Sequence, residues 1–309
     1  MKQAQTISVA VLLFVTGVLL AALINHITES DPQNSYQESL LPPLPNNPQR
    51  IICMTPSVTE TVFALDCGDR IIGVSDFSDY PAEAAAIEKL GGFINPNLER
   101  LLALGPDLII AQGKSERIIE FCQRENVPFL QVQMSNIESV YADINNMAAA
   151  LGCPAQAQNL TRQIQDSLDI TSTRIASLDR PRVFLSLYRT GGSLTGITTV
   201  GGTTFLSELI DIAGGVNIFA DLPKEYPQIS KESLLKRQPD IVIEPYQHDT
   251  LNEAQKKQRF AEWQAFGSIP ATQNNRIYFI HESTILKPGP RLAQIAEDLA
   301  RLIHPEAFK

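Results

Sequence analysis

The sequence predicts an α/β protein of two lobes, each with a central parallel sheet, joined by one long rigid α-helix. Strand-like and helix-like segments alternate in both halves of the chain, a long uninterrupted helical pattern separates the halves, and one fourteen-residue stretch occurs twice. A length of 309 residues accommodates two domains, and 44% hydrophobic with 19% charged residues is typical of chains that bury real cores.

The chain begins with an apolar segment followed by a polar linker. One lysine precedes an uncharged run over residues 7–24, whose 18 residues are at the lower limit for spanning a bilayer. Residues 1–27 are therefore predicted to be a cleaved signal or a membrane anchor, and both interpretations fit the run. No cysteine follows it, so lipid attachment is not indicated. Residues 28–49, rich in Pro, Asn, Ser and Gln, are predicted to form a flexible linker.

The first lobe is predicted over residues 50–152. Its predicted strands are RIICM, IIGVS, DLIIA and PFLQV, and its predicted helices are PSVTETVFAL and residues 98–104, 116–125 and 137–151. Ser57 and Glu60 have the spacing of a capping box at the start of the first helix.

Residues 153–180 are predicted to be the connecting helix. The segment has no Gly or Pro after Pro154, and about 25 helical residues span on the order of 38 Å. The second lobe, residues 181–309, repeats the alternation, so both lobes are expected to be Rossmann-like. Its predicted strands are RVFLSLY, DIVIEPY and RIYFI, and its predicted helices lie near residues 204–213, 252–265 and 290–303.

A repeat relates the two halves. NLERLLALGPDLII (97–110) and SKESLLKRQPDIVI (230–243) are identical at six of fourteen positions without a gap, whereas about one match is expected by chance. Each copy indicates a capped helix, a Pro-Asp turn and a buried strand. Leu98, Leu101 and Leu102, with Leu234 and Leu235, are predicted to face the sheets. Two copies are too few for a solenoid and favour two equivalent lobes.

Each copy also carries a glutamate near the second helical position. Glu99 follows the predicted cap Asn97, and Glu232 follows the predicted cap Ser230. A carboxylate there interacts favourably with the helix dipole by about 0.3–1 kcal/mol, which accounts for either glutamate alone. The helix dipole does not explain why the two glutamates are placed so symmetrically.

Composition and motifs exclude several classes of function. A net charge of −9 and a pI near 5.0 argue against a nucleic-acid partner. We find no G-x-S-x-G, P-loop or H-E-x-x-H motif, so neither an enzyme nor a cofactor is predicted.

Four cysteines, Cys53, Cys67, Cys122 and Cys153, lack the C-x-x-C spacing of a zinc site. In an exported protein they can form up to two disulfides with three connectivities, or remain small buried hydrophobic residues.

Five features carry a resemblance to a known family: RIICMTPSVTETVFAL, DRIIGVSDFSDYPAEA, GGFINPNLERLLALGPDLIIA, the long central helix and YPQISKESLLKRQPDIVI. Together they resemble the class III periplasmic binding proteins, the substrate-binding proteins of ABC importers for cobalamin, ferric siderophores or haem. The resemblance covers residues 49–308, and the vitamin B12-binding branch is the most similar. It implies a periplasmic or otherwise extracytoplasmic location, a ligand held between two lobes, a permease dimer as partner and a monomeric binding protein.

The resemblance also implies two kinds of site. In the family, an exposed glutamate on each lobe pairs with arginines of the permease, and the matching residues here are Glu99 and Glu232. Ligand contacts are expected in the loops beyond the carboxyl ends of the strands. The candidate ligand-binding residues in these loops are Phe77, Tyr80, Phe93, Gln112, Tyr188, Tyr226, His281 and Lys287, with Asp76 and Arg189 close by in sequence.

The implied ligand is a corrinoid of the cobalamin type, because aromatic side chains suit a large macrocycle. Cobalamin binders of the family tend to have tryptophan at several cleft positions, which here are Phe93, Gln112 and Tyr226. This departure keeps a ferric siderophore or haem as the alternative ligand. No resident metal is predicted, although His281 is a candidate axial ligand to cobalt or iron, and Tyr188 or Tyr226 to haem iron.

Two further expectations concern structure and motion. The single tryptophan, Trp263, lies in a helical pattern and is expected to be structural. No large closure of the lobes is expected, because a long helix between them resists bending.

Overall fold

Two parallel sheets form the centre of the molecule. The computed structural model describes residues 41–190, 195–246, 251–265, 267 and 269–309. Its strands are β1 (Ile51–Cys53), β2 (Ile71–Val74), β3 (Leu108–Gln112), β4 (Phe129–Val132), β5 (Arg182–Leu185), β6 (Ile197–Thr198), β7 (Val216–Asn217), β8 (Gln228–Ile229), β9 (Ile241–Tyr246) and β10 (Ile277–His281). The first sheet has the order β2-β1-β3-β4 and the second the order β10-β9-β5-β7, with all neighbours parallel. The α/β fold with two parallel sheets is therefore confirmed.

Helices pack on the sheets and connect them. They are α1 (Pro56–Ala64), α2 (Leu98–Leu104), α3 (Glu116–Glu125), α4 (Ile137–Leu151), α5 (Pro154–Ile175), α6 (Phe205–Ile212), α7 (Lys231–Arg237), α8 (Glu253–Gln264), α9 (Pro270–Gln273), α10 (Glu282–Ile285) and α11 (Leu292–Ile303). The connecting helix α5 has 22 residues, which corresponds to about 33 Å. It ends at Ile175 rather than near Asp179.

The connecting helix shares one continuous core with both sheets. Its buried positions recur at helical spacing and include Leu160, Ile164 and Leu168. These side chains join a cluster that also contains Ile51 of β1 and Ile241 of β9. Burial of one face along its whole length holds α5 straight against both lobes.

The repeated segment has the same structure in both halves. Helices α2 and α7 each have seven residues, and Asn97 and Ser230 cap them by accepting the N–H of the third helical residue. The strands that follow, β3 and β9, pair with β1 and β5 respectively. When β2-β1-β3-β4 is set beside β7-β5-β9-β10, the two sheets have the same order. The predicted equivalence of the lobes is confirmed at the level of strand order.

The aspartate of each Pro-Asp turn fixes the repeat to the neighbouring strand. Asp107 accepts the backbone N–H groups of Gln49 and Arg50 at 2.7 and 2.9 Å. Asp240 accepts the N–H of Arg182 at 2.8 Å. These bonds set where β1 and β5 begin beside β3 and β9.

An arginine at the start of β1 and of β5 donates hydrogen bonds to the end of the repeat helix, and so adds a second contact between the repeat and the central strand. Arg50 donates Nε to the Gly105 carbonyl at 2.9 Å and Nη2 to the Leu104 carbonyl. Arg182 donates Nη2 to the carbonyl of Arg237. Both arginines thereby satisfy carbonyl groups that the ends of α2 and α7 leave without a helical partner.

Two predictions about local structure are wrong. Ser57 and Glu60 form no capping box, because α1 begins at Pro56 after the extended Thr55, which makes no side-chain cap bond. Leu102 is 53% exposed rather than facing the sheet, because the buried stripe of the short helix α2 is centred on the fully buried Leu101. At the C-terminal end of the predicted linker, Arg70 donates to the Asn47 side chain at 2.7 Å.

The structure leaves the N-terminal predictions untested. Residues 1–40, including the predicted signal or anchor over 7–24, lie outside the described residues. Within the described part of the chain, no helix is both long enough and apolar enough to cross a membrane.

We expect Asp107→Ala to lower the free energy of unfolding by about 1–2 kcal/mol, because it leaves two backbone N–H groups at the start of β1 without their acceptor. Asp240→Ala removes one such bond and should cost less. Urea denaturation measures both. The matched control is Asp69→Ala, which changes an exposed aspartate. If Asp107→Ala and Asp69→Ala lowered the free energy of unfolding equally, the Asp107 hydrogen bonds would not stabilise the start of β1.

Candidate functional site

An ion pair with a buried carboxylate joins the two lobes. Arg291, which precedes α11, donates Nε and Nη2 to the two carboxylate oxygens of Glu60 on α1 at 2.7 and 2.6 Å. Glu60 is only 3% exposed. Burial raises the pKa of Glu60, while the hydrogen bond and charge of Arg291 oppose that rise. A bidentate pair in this position fixes both the distance and the angle between α1 and the segment that carries Arg291.

A second ion pair crosses between the lobes beside the first. Lys287 donates Nζ to Asp79 at 2.7 Å, and its side chain is 14% exposed. Burial raises the pKa of Asp79, but the hydrogen bond and charge of Lys287 outweigh this effect, so the pKa is lowered. The Arg291 guanidinium also lies 4.8 Å from the centre of the Tyr80 ring. The loop after β2 and the segment 287–291 therefore form a charged bridge between the lobes.

Two hydrogen bonds donated by backbone N–H groups join the lobes elsewhere. The N–H of Phe205 donates to the carbonyl of Ser135 at 2.7 Å. The N–H of Ile137 donates to the Glu208 carboxylate at 2.6 Å. The second bond satisfies an N–H group at the start of α4 that has no helical partner. The lobes are thus held at several points besides the connecting helix.

The first lobe presents Phe77, Tyr80 and Phe93 near the carboxyl edge of its sheet. Phe77 and Tyr80 are 67% and 50% exposed, and Phe93 is half-buried. A Cβ atom built on Gly92 would lie 3.4 Å from the Phe77 ring, and one on Gly113 would lie 3.8 Å from the Phe93 ring. The Phe77 ring therefore lies beside Gly92, next to Phe93 in the chain, and the Phe93 ring lies beside Gly113 after β3.

Hydrogen bonds position the loops of this surface. Asp76 accepts the N–H of Gly91 on its carboxylate at 2.9 Å, and its own N–H donates to the Gly91 carbonyl at 3.1 Å. Gln112, the last residue of β3, donates its side-chain amide to the Gln133 carbonyl at 3.2 Å. Gln112 therefore lies on the same edge as Phe93, with its amide nitrogen already bonded.

Tyr188 and Tyr226 flank a small antiparallel ribbon on the second lobe. Tyr188 pairs with Thr198 through two backbone bonds, and Thr198 faces Gln228, two residues after Tyr226. Tyr188 and Tyr226 are 62% and 40% exposed. Burial, and next the Glu225 carboxylate, raise the pKa of Tyr226. The phenol of Tyr226 is therefore neutral at physiological pH.

His281 and Lys287 lie at the end of β10 and beyond it. His281 faces Tyr246 in the strand register, and the two rings make an edge contact with centres 5.2 Å apart. The short helix α10 follows directly, where the sequence predicts a loop. Lys287 lies in the interlobe ion pair with Asp79, so its ammonium group is already paired with a carboxylate.

Among the described residues, no group of three or more His, Cys, Asp or Glu could hold a metal ion.

The expectation that Arg189 lies on the cleft surface is wrong. Its side chain is 6% exposed and pairs with Glu262 at 2.6 Å and Glu244 at 3.1 Å. Glu244 also accepts the indole N–H of the fully buried Trp263 at 2.5 Å. This network joins α8 to β9, and it confirms that Trp263 is structural.

Glu99 and Glu232 are both exposed, at the second position of α2 and α7. The backbone N–H of Glu232, and next the Ser230 hydroxyl, lower the pKa of the Glu232 carboxyl. Equivalent helices therefore present one accessible carboxylate on each lobe, as the repeat predicts.

Glu60 and Arg291 are the residues that sequence reasoning missed. They are 231 positions apart, and Glu60 matched a local capping motif that concealed its distant partner. Only the pairing of the lobes in three dimensions shows that Glu60 contacts Arg291.

Comparisons of the sequence and of the fold with known proteins all find periplasmic binding proteins. Residues 51–284 match the family model described as periplasmic binding protein. A vitamin B12-binding protein of Vibrio parahaemolyticus is 30% identical over 245 residues, which covers 79% of this chain and 85% of that protein. The crystal structure of the periplasmic vitamin B12-binding protein of Vibrio cholerae is similar to this structure, with a TM-score of 0.69 and 28% sequence identity. The match covers 86% of this chain and 100% of the other. A Staphylococcus epidermidis protein described as a possible iron-binding, periplasmic solute-binding protein has a TM-score of 0.73 at 26% identity, covering 84% of this chain and 100% of the other.

We expect a double-mutant cycle on Glu60→Gln and Arg291→Gln to give a coupling energy of about 2–3 kcal/mol, because Arg291→Gln leaves the buried Glu60 carboxylate without its charged partner. Chemical denaturation measures the four variants. Glu297 and Arg301, an exposed pair on α11, provide the control, for which about 0.3–0.5 kcal/mol is expected. Equal coupling in both pairs would show that the interlobe pair contributes no more than a surface contact.

Proposed function

Because the chain belongs to the periplasmic binding protein family, we propose that it captures a corrinoid of the cobalamin type between its lobes and delivers it to the permease of an ABC importer. Family membership makes the chain a binding protein rather than an enzyme, and its small molecule is a transported ligand rather than a cofactor. Members act with ABC transporter permeases outside the cytoplasm.

The observation that carries the proposal is the exposure of aromatic side chains on both lobes. Phe77 and Tyr80 on the first lobe and Tyr188 and Tyr226 on the second are each at least 40% exposed. Large aromatic side chains near the carboxyl edges of parallel strands mark a ligand surface in α/β proteins. Such rings bind a flat macrocycle with little loss of side-chain freedom, and the similarity to vitamin B12-binding proteins supports a corrinoid.

The alternative ligand is an iron chelate, either a ferric siderophore or haem. The similarity to the possible iron-binding protein of Staphylococcus epidermidis favours it, as do the tyrosines on the second lobe. Ligation of ferric iron by Tyr226 would require its phenolate, whose pKa is raised by burial. Haem held by Tyr226 would therefore bind more tightly as the pH rises, whereas a corrinoid held by ring contacts would not.

Calorimetric titration of the purified chain with cyanocobalamin, cobinamide, haem and a ferric siderophore distinguishes these ligands. Submicromolar binding of at least one corrinoid is the expected result. Absence of heat with both corrinoids, together with submicromolar binding of an iron ligand, would replace the corrinoid by the alternative.

We expect Phe93→Ala, Tyr188→Ala and Tyr226→Ala each to weaken corrinoid binding by about tenfold or more, because each removes a ring from the ligand surface. Calorimetry measures the dissociation constants. Ile170→Ala is the matched control, because Ile170 is 62% exposed but lies on the connecting helix. If the aromatic variants bound as tightly as Ile170→Ala, the ligand surface would have to lie elsewhere.

We also propose that Glu99 and Glu232 dock the protein on its permease. Both carboxylates are exposed, and the structural repeat gives the two lobes equivalent contact points, as a two-fold symmetric partner requires. Residues 7–24 would direct export of the chain and, if uncleaved, anchor it to the membrane.

We expect Glu99→Lys combined with Glu232→Lys to abolish ligand uptake in a transport assay while the soluble protein keeps its ligand affinity. The control is Glu116→Lys, because Glu116 is exposed in the first turn of α3 and shares the helix-terminal environment. Unchanged uptake in the double variant, or an equal loss with Glu116→Lys, would refute the docking assignment.

A further inference from the structure

Cys67 and Cys153 lie side by side in the structure although 86 positions separate them in the chain. Their Sγ atoms are 3.6 Å apart, and both side chains are buried. Cys67 precedes the short 3₁₀ helix Gly68–Arg70, and Cys153 is the residue immediately before the connecting helix α5. The two thiols therefore meet where the connecting helix leaves the first lobe.

Contacts that do not involve sulfur hold the two cysteines in place. Arg70 donates Nη1 to the carbonyl of Leu151 at 2.8 Å, which ties the 3₁₀ helix to the end of α4. The N–H of Cys67 donates to the Val62 carbonyl at 3.0 Å, and the N–H of Cys153 is bonded in the same way to the last turn of α4. A disulfide bond of about 2.0 Å would need the sulfur atoms to approach by about 1.5 Å, within reach of small side-chain rotations.

The other two cysteines lie on opposite faces of the first sheet. Cys53 belongs to the core cluster that contains Ile51, whereas Cys122 on α3 belongs to the cluster that contains Ile52. Neighbouring residues of a strand point to opposite faces, so the sheet separates the two side chains. Burial raises the pKa of both thiols, to about 12 for Cys122. Cys53 and Cys122 therefore fit the role of buried hydrophobic residues.

We propose that Cys67 and Cys153 form a disulfide when the chain folds outside the cytoplasm. One cysteine thiolate attacks an external protein or small-molecule disulfide, forms a mixed disulfide and releases one thiol. The second cysteine attacks the sulfur of the first, forms the Cys67–Cys153 bond and releases the second thiol. Two cysteine thiols are oxidised and one external disulfide is reduced to two thiols, so the exchange balances.

The timing of the bond follows from burial. Burial, and next the hydrogen bond with Cys67, raise the pKa of the Cys153 thiol to about 12. The attacking thiolate is scarce in the folded protein, so exchange takes place before the core closes. The bond then links the start of α5 to the first lobe. It also lowers the conformational entropy of the unfolded chain, which stabilises the folded state.

The proposal takes the extracytoplasmic location from the family, but its test needs neither ligand nor permease. The full chain is denatured, reduced and refolded with reduced and oxidised glutathione, then alkylated and cleaved on the amino side of aspartate. This cleavage separates Cys53 from Cys67. The expected product is the peptide Asp66–Gly68 linked to Asp143–Gln165, with Cys53 and Cys122 alkylated.

The thermal midpoint of the oxidised protein should exceed that of the reduced protein by about 5–10 °C. The same difference should persist in Cys122→Ala and vanish in Cys67→Ser and in Cys153→Ser. Four alkylated cysteines after oxidative refolding, or a linked peptide that contains Cys53 or Cys122, would overturn the proposal. The peptide map uses the unaltered chain, so its outcome does not depend on whether a variant folds. If the chain bound no corrinoid, the proposed function would fail, but the proposed disulfide would not.

Discussion

The relative placement of the two lobes depends on the ion pair between Glu60 and Arg291. A carboxylate that is 3% exposed cannot keep its charge at low cost without a partner, and the bidentate guanidinium supplies one from the opposite lobe. Because a buried pair loses much of its stabilisation when the partners separate, it tolerates little relative movement. Together with Lys287–Asp79, it links α1 and the loop after β2 in the first lobe to residues 287–291 of the second.

A fixed placement of the two lobes would have consequences for the proposed capture and release of a ligand. The connecting helix α5 shares one core with both lobes, so bending it would expose apolar side chains to water. Little of the binding energy of a ligand would be used to order the protein, which favours capture at low concentration. Release would then require an outside force on the lobes. Paired contacts through Glu99 and Glu232, one on each lobe, would allow a permease to supply that force.

The sequence predicted features that depend on neighbouring residues. The bounds of α2, the caps Asn97 and Ser230, and the exposed Glu99 and Glu232 follow from local spacing, and all agree with the structure. Features that depend on distant contacts were missed. Glu60 fits a capping motif although its partner is far along the chain, and Arg189 follows a strand yet turns inward to Glu244. The ribbon that Tyr188 and Tyr226 flank has strands of two residues, which carry no periodic signal.

The central claim, that the lobes stand at a fixed separation with or without ligand, can be tested by one distance measurement. Spin labels on cysteines introduced at Glu120 of α3 and Lys257 of α8, both exposed and on different lobes, report that separation by pulsed electron resonance. The account predicts that saturating cyanocobalamin shifts the mean distance by less than about 2 Å and leaves the distribution narrow. A broad distribution in the free protein that narrows and shifts by several ångströms on binding would show instead that the ligand closes a flexible cleft.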